Sequence, residues 1–427
     1  MKVLSAVKIF YIFYSIYTLF VVLVSNYRLE HAAFGVAAAW IVFFAYSLGF
    51  QSVKHKRAGT ADTPERSGSP KSNVYEWKKG TYFFHAALCW ACSILAAVYY
   101  TGLWPAQVFN HLRAGNSLYA LYQQHFRSQG ISSFGLAKIP FILMLTYVTI
   151  LLFVSFLGIM SSGKKPKLKH YAFLISVALS YYYFGVSRGT NFEMYIIFVL
   201  LAYCLLCRDS VREKRAKSKK KRYSGLIMVA IFGVIAVGIF RIVLTARGSV
   251  FENGICPEIQ YDPNSLFARL FPAFTNIGLS VFSYLGYGIY AIGATVADVI
   301  FRSSRNALAA LFPMSYELFL GRSLTEALFE IVDVGVHWIP DWITFTGLLG
   351  LPLLLILMYL LGKFTSRCYV IKRPRLLQNL ICSLSFLFML SIPVGNFIFT
   401  STPNVLLIAF VFIWDTFFRR IHVSFKR

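Results

Sequence analysis

Four ionisable side chains fall on one line late in the sequence. Ser323-Leu324-Thr325-Glu326 has the spacing of a capping box, in which a hydroxyl and a carboxylate satisfy first-turn amides, so a helix is predicted to begin there. It continues through Ala327-Leu328-Phe329-Glu330-Ile331-Val332-Asp333. Glu326, Glu330, Asp333 and His337 then stand at i, i+4, i+7 and i+11, one stripe of a helix otherwise made of Leu, Phe, Ile, Val and Trp. Pointed into a site, such a row offers acid/base groups whose partial burial brings a carboxylate or imidazole into working range. The wet face of a helix lying on a membrane has the same pattern, and both readings stand. No metal is expected from these four, because one helix supplies a flat row rather than a closed coordination shell.

A second group surrounds Arg188. Gly185-Val186-Ser187-Arg188-Gly189-Thr190 follows the aromatic run Tyr181-Tyr182-Tyr183 and joins two apolar runs by a turn too short to form a domain. Arg188 is therefore placed at or slightly within the membrane surface, where charge is expensive and is usually paired or functional. The alternative is an anchor snorkelling to lipid phosphate. Two further pairs, His111-Leu112-Arg113 and His125-Phe126-Arg127, lie in a stretch of helical periodicity broken by Gly115. Each could bind an anion, but they are read as solvated residues on an interfacial helix.

These groups work only where the rest of the chain positions them. Of 427 residues, 57% are hydrophobic and 14% charged, with 41 Phe and 26 Tyr, more than the interior of a soluble domain this size can hold. Apolar runs of about 20 residues, the length that crosses a bilayer as a helix, recur throughout. An all-α polytopic membrane protein is predicted, with ten spans near 6–25, 32–50, 81–103, 139–160, 171–187, 192–207, 224–240, 344–362, 377–395 and 404–418. The first run follows Met1-Lys2 directly and continues through Ile9 to Val24 without a small-residue cleavage site, so a retained helix is expected. Cys89-Trp90-Ala91-Cys92 and Cys204-Leu205-Leu206-Cys207 lie inside apolar runs and read as packing residues rather than redox or metal pairs.

Charge sets the orientation. The N-terminus, 51–80, 161–170, 208–223, 363–375 and the C-terminus hold 31 of the 42 Lys and Arg, so that face is predicted to be cytosolic, with both termini inside. The net charge of +25 then needs no nucleic acid, since runs such as Lys217-Ser218-Lys219-Lys220-Lys221-Arg222 flank membrane helices and face anionic headgroups. Residues 54–73 read as a basic, flexible linker within the cytosolic segment 51–80. No phosphate loop of the Walker type is present, so ATP-driven work is unsupported.

The outer face carries ten Arg and a single Lys, Lys138. Guanidinium grips phosphate oxygens with two aligned donors, whereas ammonium acts as a point charge, so this bias suggests an anionic, phosphorylated ligand. Besides the first outer loop, 104–138, there is a long one, 241–343, with six Arg, no Lys and nine acidic residues, net −3. A hundred residues between spans exceeds what a connector needs and marks the expected active-site region. Its apolar stretch 274–301 is read as re-entrant or interfacial, because a single span there would reverse every later loop.

The layout resembles the Wzy-type O-antigen or oligosaccharide repeat-unit polymerases of bacterial envelopes. The likeness rests on Ser187-Arg188-Gly189 after the fifth span, the basic run after the sixth, Arg241 and Arg247 opening the long loop, Tyr284-Leu285-Gly286-Tyr287-Gly288 within it, and Gly347-Leu348-Leu349-Gly350 leading into the next span. It covers residues 100–365. The resemblance implies a metal-independent glycosyl transfer at the outer face of the inner membrane, moving a growing glycan from undecaprenyl pyrophosphate onto a new lipid-linked repeat unit, without a cofactor. Arg188, Arg241, Arg247 and Arg322 would stabilise the leaving pyrophosphate, and Asp333, Glu330 or His337 would serve as general base. The lipid bilayer and a chain-length regulator are the expected further partners. An O-antigen ligase shares this architecture and donor. A glycosyltransferase using a single-sugar polyprenyl phosphate usually has an acidic pair in its first outer loop, where this chain has only Glu30. A flippase or other transporter would bury mid-membrane charges and show internal repeats, and neither is evident.

Overall fold

The computed structural model of this protein describes residues 2–25, 28–53, 79–129, 135–161, 168–212, separate positions between 227 and 238, Asp262, 264–272, 351–369, 376–392 and 401–413. Among these, the chain is helical and contains no strand. The long helices are α1 (Lys2–Val24), α2 (Leu29–Ser52), α3 (Lys79–Thr101), α6 (Ile139–Ser161), α7 (Leu168–Ser187), α8 (Phe192–Arg212), α10 (Leu351–Tyr369), α11 (Leu376–Ser391) and α12 (Thr402–Ile413). Three shorter ones are α4 (Pro105–Arg113), α5 (Leu118–Ser128) and α9 (Leu266–Leu270), and a 3₁₀ turn, Leu136–Lys138, leads into α6.

Among the described residues, four helices are long and apolar enough to cross a membrane: Val3–Leu23, Leu29–Ser52, Gly80–Thr101 and Leu136–Gly158. The protein is thus a membrane-embedded helical protein, and many large apolar side chains, among them Phe13, Phe44, Phe83 and Ile175, point outward from the bundle. Within such helices hydroxyl groups need partners, because lipid offers none. Several find them one turn back: Ser15 donates to the Tyr11 carbonyl at 2.7 Å, Thr101 to Ala97 at 2.7 Å, Thr146 to Ile142 at 2.7 Å and Thr149 to Leu145 at 2.8 Å.

Two helix ends differ from the prediction for one physical reason. The span predicted at 192–207 continues as helix to Arg212, and the one predicted at 344–362 is followed to Tyr369, past Lys363 and Arg367. Charge ends an apolar run, but backbone hydrogen bonds continue beyond it while long cationic side chains reach outward.

Small residues let helices meet closely. A Cβ on Gly49 of α2 would overlap the Tyr359 carbonyl of α10, and one on Gly362 of α10 would overlap the Tyr46 carbonyl of α2. Polar ties cross the core elsewhere. Tyr11 donates to the Met389 carbonyl at 3.0 Å and Tyr195 to that of Leu390 at 3.1 Å, pinning α1 and α8 to the end of α11. Trp90 of α3 donates to the Ser176 hydroxyl of α7 at 3.2 Å, and Tyr99 of α3 stacks on Phe141 of α6 with ring centroids 3.9 Å apart. The pairs Cys89/Cys92 on α3 and Cys204 on α8 are buried, and the Cys204 thiol faces the Phe156 carbonyl at 3.9 Å.

The consequence for a site is at one end of the α3, α6, α7 and α8 bundle. The segment 104–138, with α4 and α5, emerges from the end of α3 and returns into α6, and the turn from α7 to α8 lies against the same segment, where a Cβ on Gly189 would approach the Tyr119 backbone. The Gly115 break expected from periodicity separates α4 from α5, in left-handed conformation at φ 72°.

Candidate functional site

The turn from α7 to α8 is closed by its own backbone. Arg188 N donates to the Gly185 carbonyl at 3.1 Å, Gly189 N to Val186 at 2.9 Å and Thr190 N to Gly185 at 2.9 Å. Gly189 takes φ 63°, the left-handed conformation that ends a helix and that glycine adopts without penalty. Asn191 then accepts from Tyr195 N at 3.1 Å as α8 begins.

This geometry brings Arg188 back onto Glu193, the second residue of α8. Arg188 Nη2 donates to Glu193 Oε1 in an ion pair, and the Thr190 hydroxyl lies 3.0 Å from Glu193 Oε2 and 3.2 Å from the Gly185 carbonyl. The pair is largely enclosed, with side-chain exposures of 20% for Arg188 and 6% for Glu193. Burial works against charge on the guanidinium, but the Glu193 carboxylate together with Tyr122 and Tyr100 holds the Arg188 pKa above its ordinary value. A Cβ at position 185 would overlap Glu193 Oε2, so a side chain there would displace the carboxylate.

Aromatic rings close over the pair. The Arg188 guanidinium carbon lies 4.0 Å from the Phe184 ring centroid and 5.9 Å from that of Tyr122, which α5 brings across the bundle end. Burial pushes the Tyr122 phenol above its usual range, with Arg188 acting in the opposite sense. Tyr100, Tyr122, Phe126 and Phe184 form one cluster, with centroid separations of 5.3 Å for Tyr122 and Phe126 and 5.8 Å for Tyr100 and Phe184. Lys138, only 8% exposed, places its ammonium 5.8 Å from the Phe126 ring. A cation therefore stands at each side of the aromatic cluster.

Helix α5 is seated by two glycines in left-handed conformation. A Cβ on Gly189 would come 2.6 Å from Tyr119 N, and one on Gly102 (φ 71°) 2.8 Å from His125 Nδ1. The His125 ring lies under the end of α3 with Nε2 3.3 Å from the Tyr99 carbonyl, and a carbonyl only accepts, so Nε2 carries the proton. This corrects the reading of the His-x-Arg pairs as uniformly solvated. Arg113 and Arg127 are exposed, but His125 is a packing and docking residue, recruited by the close approach that Gly102 allows.

Two polar groups of the turn keep unused capacity. Among the described residues, neither Asn191 Oδ1 nor Nδ2 has a hydrogen-bond partner, and Asn191 is 3% exposed; Arg188 Nε is likewise buried without one. Asn191 occupies the position before α8 where an Asn side chain ordinarily accepts from a first-turn amide, and it makes no such bond. The set combines a charge-neutral ion pair, aromatic faces and a spare carboxamide, which suits a ligand rich in hydroxyl groups with an apolar face.

Of the predicted site residues, Arg188 lies in the turn between α7 and α8, at the bundle end and against the segment 104–138. Arg241, Arg247, Arg322, Glu326, Glu330, Asp333 and His337 lie outside the described residues, as do most of 224–240 and the stretch 274–301. Glu193 is not among the predicted site residues. Its spacing after Arg188 and the Thr190-x-x-Glu193 pattern were the available signal; Asn191 and Tyr122 carried none. Among the described residues no three His, Cys, Asp or Glu side chains gather as a metal requires. No protein-family model, no curated protein and no solved structure matches this chain.

Proposed function

We propose that this chain is an integral membrane glycosyltransferase that polymerises undecaprenyl-pyrophosphate-linked oligosaccharide repeat units into O-antigen or a related surface polysaccharide. The observation that carries the proposal is the Arg188 cluster: a guanidinium fixed by Glu193 and Phe184, under Tyr122, at the bundle end that the charge pattern assigns to the outer face. An enclosed ion pair at that depth, with aromatic rings and the Asn191 carboxamide beside it, fits the sugar portion of a lipid-linked glycan.

In this reading the chain crosses the bacterial inner membrane ten times, with both termini in the cytosol and 104–138 and 241–343 on the periplasmic side. A hydroxyl of the incoming repeat unit attacks the anomeric carbon of the growing glycan. Its proton passes to Asp333, Glu330 or His337, and the carbon–oxygen bond to undecaprenyl pyrophosphate breaks, the electron pair leaving with the pyrophosphate. Arg241, Arg247 and Arg322 stabilise the charge on that leaving group. A chain-length regulator would act on the same face.

The test is the lipopolysaccharide banding pattern of a strain lacking this protein, complemented with wild type or with Arg188→Ala. Collapse of a ladder to core plus one repeat unit, rescued by wild type alone, supports polymerisation. Loss of every attached unit points instead to ligation, and an unchanged ladder to transport.

A further inference from the structure

The resemblance to Wzy-type polymerases implies that Arg188 meets the pyrophosphate. The structure spends the Arg188 charge on Glu193, since the pair sums to zero and the carboxylate occupies one donor of the guanidinium edge that also carries Nε. A dianionic phosphate brought here would meet the Glu193 carboxylate as well as Arg188, and like charges at such range repel in a site of low polarity. What the turn does offer is hydrogen bonding without net charge: Arg188 Nε–H of the compensated guanidinium, and a buried Asn191 carboxamide with donor and acceptor both unpartnered among the described residues. An orphaned buried polar group is costly, and here three such atoms lie within four consecutive residues. A sugar hydroxyl both donates and accepts, so it is the chemical complement of a carboxamide. The apolar C–H face of a pyranose is in turn the complement of an aromatic ring, and Tyr122, partly exposed, stands over the same turn.

We propose that the turn 185–193, roofed by Tyr122, binds an uncharged sugar residue of the lipid-linked glycan, with Asn191 and Arg188 Nε hydrogen-bonding its hydroxyls, and does not hold the pyrophosphate. This rests on the polymerase reading for the identity of the glycan. Glu193 is then a positioning residue: it orients the guanidinium and cancels its charge, making the site selective for sugar over phosphate. Asn191 is the specificity-determining residue.

The experiment uses the full chain in lipid nanodiscs and two probes, the undecaprenyl-pyrophosphate-linked repeat unit and undecaprenyl pyrophosphate without sugar. Wild type is expected to bind the glycolipid more tightly than the bare lipid. Asn191→Ala should weaken glycolipid binding by about three- to tenfold, the loss of one or two neutral hydrogen bonds, while affinity for the bare lipid stays within about twofold. Tyr122→Leu should act in the same direction and Tyr122→Phe should not, which separates a stacking ring from a residue the fold needs for its hydroxyl. Equal weakening of both probes by Asn191→Ala and Tyr122→Leu would overturn the sugar assignment while leaving the polymerase reading intact. Binding of neither probe by wild type would overturn both.

Discussion

Glu193 and Arg188 are five residues apart, on either side of a glycine in left-handed conformation, and their side chains meet as an enclosed ion pair at the start of α8. The pairing exists because Gly189 reverses the chain within one turn and because Gly185, lacking a Cβ, leaves room for the carboxylate. Arg188 is thereby a fixed element of the bundle end, not a side chain free to reach for lipid.

Removing the carboxylate strands the cation. Glu193→Ala is expected to lower stability by about 3 kcal/mol, the usual cost of leaving one partner of a buried pair uncompensated. The double variant Arg188→Met/Glu193→Leu should recover most of that loss, because apolar side chains of similar volume tolerate the site. Thermal unfolding of the purified protein, followed by intrinsic fluorescence, reads both. Equal destabilisation by the single and the double variant would show that the pair contributes nothing through its charges.

Gly189 faces two demands at once, a positive φ and the Tyr119 backbone at 2.6 Å from any added Cβ. Gly189→Val is expected to lift α5 off the bundle end and to abolish long polysaccharide chains. Gly115→Ala, with φ 72° but open space around its Cβ, should cost only about 1–2 kcal/mol of local strain. Comparing chain-length distributions of the two variants tests whether the seating of α5, rather than glycine conformation in general, matters.

How far the sequence leads can be judged from particular residues. Helix positions were legible because lipid forces continuous apolar runs, and α2, α3, α6 and α7 fall close to the predicted ranges. The ends of α8 and α10 were not, since a run of hydropathy stops at the first Lys or Arg while the helix continues. Arg188 was legible by its cost in such surroundings. The docking of His125 under Gly102 and of Tyr122 over Arg188 was not, because both are contacts across more than twenty residues with no local periodicity to betray them.

The close contact of α2 with α10 yields a prediction independent of function. Gly49→Leu and Gly362→Leu should each prevent that contact, since even a Cβ overlaps a backbone carbonyl. Loss of folded protein from the membrane fraction is expected for both, whereas Gly158→Leu, with open space at its Cβ, should accumulate normally. Normal accumulation of the Gly49 and Gly362 variants would mean that the two helices do not meet this way.

Orientation can be read from the described ends of the bundle. In a cysteine-free background, Gln129→Cys just beyond α5 is expected to react with a membrane-impermeant maleimide added to cells whose outer membrane is permeabilised, because the charge pattern places 104–138 on the periplasmic side. Val53→Cys, at the end of α2, should react only after the inner membrane is opened. The reverse pattern would invert the topology and remove Arg188 from the periplasmic face.

The most direct measurement is polymerisation by the purified chain, reconstituted in liposomes with undecaprenyl-pyrophosphate-linked repeat units and no nucleotide. The account predicts a ladder of lipid-linked oligomers from wild type, with release of undecaprenyl pyrophosphate, and single units only from Arg188→Ala. A wild-type protein that is folded and leaves the repeat units unextended, or an Arg188→Ala variant that extends them as well as wild type, would contradict it.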